Sequence, residues 1–301
     1  MSHIGIEIGG TKLQIAEGNA EGGVIRRMHR LDVVKEHGSA GILRQIEDTL
    51  RSLDVSPSAV GIGFGGPVDR RSGKIAASHQ IGGWSGFDIG KWFRDHVDIP
   101  VFLENDANTA ALAEARYGAG KDHDLVFYIT LGSGVGGGMV INKALYHGAV
   151  PGEAEVGLLT MDRDGRTLES FCSGWALDAM IRDRVGEDPN SILRAQVRGH
   201  GGEAKFLSGA LQMGDELAHQ ILVKYADTLA WGLSHVVHLF NPEIIILGGG
   251  VSLIGMALRD AVERSMQKYI MKTFAPGPAI KLSSLGEEVV PRGALSLIQT
   301  S

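Results

Sequence analysis

Asp106 stands in "VFLENDANTAALAEARYG", after an apolar stretch of strand character and at the head of an alanine-rich stretch of helix formers. A carboxylate at a strand-to-helix corner projects where functional side chains of α/β proteins gather, and it can take a proton from a reacting hydroxyl. The same position suits an aspartate that caps a helix, worth about 1 kcal/mol. Spacing alone favours the cap. Three glycine turns at strand ends offer a second chemistry: Gly9 and Gly10 in "EIGGTK", Gly132 to Gly138 in "LGSGVGGG", and Gly248 to Gly250 in "ILGGGV". Glycine admits positive φ and lets a ligand approach backbone N–H groups that can cradle phosphate oxygens. The steric needs of a hairpin explain any one such turn equally well, but three in one chain favour a nucleotide.

Two familiar nucleotide motifs fail on their context. "GSGVGG" has the G-x-G-x-x-G spacing, yet a helix should follow, and "MVINKALY" continues as a strand. "GGTK" lacks the G-x-x-x-x-G-K-[ST] spacing and is also followed by a strand.

The elements that must position these residues read as two related sets. "IGIEIGGTKLQIAEG" and "DLVFYITLGSGVGGGMVIN" are each strand, glycine turn, strand. After the first come a helical pattern from about Gly41 to Leu53, the strand "AVGIGFGG", a short helix near "DIGKWFRDH" and the strand that ends at Asn105. After the second come a long helix from about Asp215 to Leu239 and the apolar strand "EIIILGGGV", whose glycines lead into the helical "SLIGMALRDAVERSM". The polar, glycine-rich "GAGKDHD" at 118–124 is the best boundary.

At 301 residues the chain can hold two domains with a cleft between them. Hydrophobic residues at 44% and charged residues at 21% exclude a disordered chain. A net charge of −6 gives no basic footprint for nucleic acid. One cysteine cannot form an internal disulfide, and "MSHIGIEIGG" lacks the features of a signal peptide. The apolar run at Ile244 to Leu247 is far too short to span a membrane. The expectation is a cytoplasmic protein with no membrane partner.

Two phosphate hairpins and a strand-GGG-helix element resemble the superfamily of sugar kinases, Hsp70 and actin. The finer resemblance is to the ROK family of sugar kinases and related repressors. It is carried by "GIEIGGTK" at 5–12, "GIGFGGPVD" at 61–69, "ENDANTAALAE" at 104–114, "TLGSGVGGG" at 130–138 and "NPEIIILGGGV" at 241–251, in the family's order. It implies a two-lobed, actin-like (ribonuclease H-like) α/β fold of mixed sheets flanked by helices. The lobes would be 1–118 with about 288–301, and 119–287, with hinges near Gly118 and the C-terminal helix at Pro291 to Ile298.

The activity implied is transfer of the γ-phosphate of ATP, with Mg²⁺, to a hydroxyl of a hexose or amino-hexose. Such a reaction needs an aligned hydroxyl, a base and donors around the triphosphate more than covalent chemistry. The resemblance places the catalytic base on Asp106, reversing the order that spacing gave, and a sugar-binding asparagine on Asn105. Gly65 and Gly66 would line the sugar site, although a structural turn explains them nearly as well. Gln80 stands where relatives usually have a sugar-binding asparagine. Gly9, Gly10, Thr11 and Lys12, Gly132, Ser133 and Gly134, and Gly248, Gly249 and Gly250 would hold the nucleotide. Glu7, where most relatives have aspartate, could order Mg²⁺ through water or be an exposed strand residue. Lys12 could lie near the phosphates or be solvated.

"EAEVGLLTMDRDGRTLESFCSG" at 153–174 departs from the family. Glu155 and Glu169 match its two sugar-holding glutamates. Leu158 replaces a histidine that contacts sugar and binds zinc, and Thr167 stands where the last zinc cysteine would be. A structural zinc site needs about four N or S ligands, so no zinc is expected, and Cys172 reads as a buried small side chain. Two other readings stay open: a sugar-sensing regulator, for which no helix-turn-helix precedes the first glycine turn, and a sugar-binding protein without turnover. Family resemblance also implies a homodimer and no direct nucleic-acid partner.

Overall fold

The computed structural model describes residues 2–19, 23–54, 56–78, 80–149, 152–197, 199 and 201–300. Backbone packing divides the chain into two compact units, one of Met1–Lys121, Gly138–Glu153 and Leu285–Ser301, the other of Asp122–Gly137 and Ala154–Ser284.

In the first unit β1 (His3–Ile8) and β2 (Lys12–Gly18) form an antiparallel hairpin with Ile8 opposite Leu13, and β3 (Ile25–Asp32) extends it. The chain continues through α1 (Gly38–Arg51), β4 (Val60–Phe64), the two-residue strands β5 (Val68–Asp69) and β6 (Lys74–Ile75), α2 (Ile89–His96), β7 (Val101–Asn105) and α3 (Asp106–Tyr117). The sheet order is β3-β2-β1-β4-β7, with β1, β4 and β7 parallel.

The alternation in "IGIEI" and "VGIGF" sorts residues between two faces, because successive strand residues point to opposite sides. Ile4, Ile6, Ile8, Val60, Ile62 and Phe64 join Ile42 and Ile46 of α1 in one apolar cluster. The other face carries glycine for a spatial reason. A Cβ on Gly61 would lie 1.8 Å from Ala294 O, and one on Gly5 would lie 2.4 Å from Pro291 O, so the backbone of α10 (Val289–Leu297) rests directly on the strands. Gly293 of α10 in turn meets Thr109 O of α3, where a Cβ would approach to 1.9 Å. Close packing of α10 thus requires glycine at 5, 61 and 293.

In the second unit and its sheet, β8 (Leu125–Leu131), β9 (Val135–Ile141) and β10 (Ala144–Leu145) are followed by α4 (Leu168–Cys172), α5 (Gly174–Arg184), α6 (Ile192–Gln196) and α7 (Leu207–Gln212). Then come α8 (Glu216–Phe240), β11 (Ile244–Gly248), α9 (Met256–Met266) and β12 (Ala279–Leu282). The sheet order is β10-β9-β8-β11-β12, and β11 runs parallel to both neighbours. Burial on both faces explains its unbroken apolar run. Asp215 caps α8 by accepting Ala218 N–H at 2.9 Å. The expected helix after the glycines of β11 is broken: Gly250–Ile254 forms a 3-10 turn, Gly255 takes φ 87°, and α9 starts only at Met256. Among the described residues no helix is long and apolar enough to cross a membrane.

Candidate active site

Asn105, and not Asp106, caps α3. Its Oδ1 accepts the N–H groups of Ala107 at 2.9 Å and Asn108 at 3.2 Å, and its Nδ2 donates to Gly66 O at 3.1 Å. The capping alternative for Asp106 is thereby corrected, and Asn105, expected only as a sugar contact, carries a structural duty. Asp106 is the first helical residue, where the positive end of the helix dipole favours a carboxylate. One of its oxygens accepts Ala107 N–H at 2.8 Å, while Oδ2 lies 3.5 Å from the point a Cβ on Gly65 would occupy. Gly65 donates its N–H to Ile8 O at 2.9 Å, and that same point lies 3.8 Å from Gly9 Cα. Strand pairing of β4 with β1 and β7 therefore brings Gly9, Gly65 and Asp106 together.

Glu7 is not the exposed strand residue of the alternative reading, for it is only 8% exposed. Lys12 Nζ lies 3.4 Å from its Oε1, so Lys12 pairs with it across the hairpin. With its amide nitrogen turned inward, Gln14 donates to Glu7 Oε2 at 2.6 Å and to Glu287 O at 2.9 Å. Burial pushes the Glu7 carboxyl up from an ordinary 4.5 to about 7, against the pull of Lys12 and with the help of the Asp106 charge. At the turn Gly9 N–H bonds Lys12 O at 3.0 Å, and Thr11 is exposed. A Cβ on Gly10 would fall 1.6 Å from Gln80 Oε1, so the Gln80 carboxamide lies over the first glycine turn.

In the second unit Gly132 N–H bonds Gly134 O at 2.9 Å and Gly174 N–H bonds Gly132 O at 2.6 Å, leaving Ser133 exposed at the tip. Glu169 Oε2 accepts Val135 N–H at 2.8 Å and would lie 2.6 Å from a Cβ on Gly134. Glu169 thus braces a turn that spacing gave no reason to connect with it. Gly157, in the 3-10 turn Val156–Leu158, also meets β9, a Cβ there lying 2.0 Å from Val135 O. Leu158 N–H bonds Glu155 O at 3.0 Å, and the Leu158 side chain is 62% exposed. Gly249, at φ 78°, packs on the end of β8, where a Cβ would be 2.6 Å from Leu131 N. Gly248 leaves room for Tyr128 Oη and Gly250 opens the following 3-10 turn.

Residues 160–167 form a small hairpin. Thr160 and Thr167 bridge, Met161 N–H bonds Arg166 O at 2.7 Å, and Asp162 accepts the N–H groups of Asp164 and Arg166 as well as Arg166 Nε. Arg166 also lies over the Phe171 ring. Thr167 caps α4 by accepting Ser170 N–H. Cys172 is buried, and burial pushes its thiol well above the usual range. Its carbonyl accepts Tyr225 Oη–H at 2.6 Å.

The sequence profile of the ROK family matches residues 3–301. The chain belongs to the ROK family. A glucokinase of Thermotoga maritima is 31% identical, over 98% of this chain and 96% of its own. A ROK glucokinase from Streptomyces griseus, solved with glucose and AMPPNP, is 30% identical with a TM-score of 0.88 over the whole of both chains. A ROK hexokinase from Thermus thermophilus is 28% identical with a TM-score of 0.78, again over both chains in full. The mixed α/β fold is accordingly the actin-like fold of ROK sugar kinases.

Within the ROK motif "END", the residue given no role was Glu104, which is 3% exposed and pairs with His147. A charge in the otherwise apolar strand "VFLEN" is the signal that could have singled it out.

Proposed function

We propose that this ROK protein is an ATP-dependent sugar kinase that phosphorylates a hydroxyl of a hexose or amino-hexose. The observation that carries the reading is the placement of Asp106: relieved of capping by Asn105, its Oδ2 faces Gly65 beside the first glycine turn. In this reading Asp106 accepts the proton of the attacking hydroxyl, and the hydroxyl is oriented so that attack follows the line of the leaving oxygen. The sugar-binding residues in this reading are Asn105, Gln80, Gly65, Gly66, Glu155, Glu169 and Leu158. The turns at Gly9 to Lys12, Gly132 to Gly134 and Gly248 to Gly250 hold ATP. The commitments of Asn105 and Glu169 to the backbone fix their orientation before a sugar arrives.

Mg²⁺, when bound with ATP, neutralises phosphate charge. Glu7 fits an outer-sphere role toward it, as a buried carboxylate poised near neutrality that a nearby cation would drive to the ionised form. Lys12, held 3.4 Å from Glu7, brings a positive charge to the same turn.

The test is a screen with Mg-ATP across hexoses, N-acetyl-hexosamines and ketoses. A sugar phosphate from at least one, formed at least about a hundredfold more slowly by Asp106→Asn, is the expected result. If no sugar is phosphorylated by the wild-type protein, the kinase reading fails.

A further inference from the structure

We propose that Glu104, His147 and Glu153 form a site for a divalent first-row transition cation, of the Zn²⁺ or Mn²⁺ class, at the end of β7. All three belong to the first unit, and one ligand atom of each lies within 4.8 Å of the others. His147 Nε2 is 2.7 Å from Glu104 Oε2. Bonds of about 2.0 to 2.2 Å to such an ion bring donors to roughly 3 to 3.5 Å from one another, so small side-chain shifts suffice. The ion takes the place of the direct contact between His147 Nε2 and Glu104 Oε2.

A second observation points into the same cluster. Asn108 is 3% exposed, and its Nδ2 donates to Glu153 Oε1 at 2.8 Å and to Glu104 Oε1 at 3.2 Å. Its Oδ1 is buried without a hydrogen-bond partner, which is uncommon for a buried amide. On ion binding this carboxamide turns over, gives up both of those hydrogen bonds, and presents its oxygen to the ion as a fourth ligand. Glu104 is buried while His147 reaches solvent, which gives the ion a route in. Imidazole with two carboxylates suits Zn²⁺ or Mn²⁺, whereas Mg²⁺ prefers an all-oxygen shell rich in water. The site uses none of residues 158–172.

Its position gives it leverage. Glu104 Oε1 also accepts Asn105 N–H at 2.8 Å, so an ion on Glu104 bears on the corner that holds Asp106. It also ties β7 to the segment carrying His147 and Glu153. The cation is therefore a positioning device for that corner.

Full-length protein, freed of metal by a chelator that is then removed, is titrated with Mn²⁺ without nucleotide or sugar and followed by electron paramagnetic resonance. Zn²⁺ is titrated by calorimetry. One ion per chain is expected, with affinity weakened by at least about tenfold in His147→Asn and in Glu153→Gln, and no displacement by equimolar Mg²⁺. These two side chains are partly open to solvent, so both variants should keep the wild-type fold, checked by circular dichroism. Absence of binding at millimolar Mn²⁺, or equal affinity in the double variant, overturns the site. Displacement by equimolar Mg²⁺ overturns the cation class. With no ATP or sugar present, the outcome is separate from that of the kinase assay.

Discussion

Between Ile8 and Leu13 the first hairpin turns through Gly9, Gly10 and Thr11, beside a buried glutamate and a lysine of its own two strands. Between Leu131 and Val135 the second turns through Gly132, Ser133 and Gly134, and the carboxylate beside it, Glu169, comes from α4. The strand alternation is alike in both. In the first, the titratable group sits within the hairpin and feels burial. In the second, the carboxylate binds a backbone N–H and fixes the shape of the turn. Similar glycine turns can thus be tuned in different ways, one through charge and one through a brace.

The sharpest way to break this comparison starts beside the first hairpin. Asp106→Asn keeps the size of the side chain and removes the base, and should lower kcat for sugar phosphorylation by about 10² to 10⁴ with folding unchanged. Steady-state kinetics and circular dichroism on the same sample check both halves.

Glu7 is next. In the unfolded chain its proton leaves near 4.5 and in the folded chain near 7, so between these values the folded state holds more protons. Stability contributed by Glu7 is therefore present below about pH 4.5 and is lost as the pH rises through 7, by about 3 kcal/mol at most. Glu7→Gln should remove that slope and make the protein more stable than wild type at pH 8, read as thermal unfolding against pH. An unchanged slope would remove the contrast in charge between the two hairpins.

At the second hairpin, Glu169→Ala should weaken nucleotide binding by roughly tenfold or more, since a hydrogen bond to a charged group contributes about 1.5 to 3 kcal/mol. Glu169→Gln, which keeps an acceptor for Val135 N–H, should recover much of the loss. Equal defects in the two variants, measured by calorimetry with AMPPNP, would deny the brace. The smallest effect belongs to Thr167→Ala, which removes the cap of α4 and should cost about 1 kcal/mol in chemical denaturation.

Hairpins, the α1 face and the long α8 were legible because their periods of 2 and 3.6 are written in consecutive residues. The corner at Asn105 and Asp106 was legible as a corner, but which residue capped the helix was not, since both types can. The break at Gly255 was obscured by the helical pattern of the residues around it. The 160–167 hairpin was not read at all, because it depends on Asp162 reaching residues two to four positions ahead, and "DRDGR" reads equally well as a solvated loop.

By itself the sequence determined the two glycine-turn hairpins, the strands β4, β7 and β11, the helices α1, α2, α3 and α8, the three glycine turns and the family. These follow from local periodicity and from motifs whose residues are neighbours in the chain. Only the tertiary structure decided that Glu7 is buried and paired with Lys12, that Glu169 holds Val135, that Gln80 covers Gly10, and that Glu104, His147 and Glu153 meet. Each of these depends on burial or on contact between residues far apart in sequence. Desolvation and hydrogen bonding act on what is near in space, and a linear order of residues does not record that.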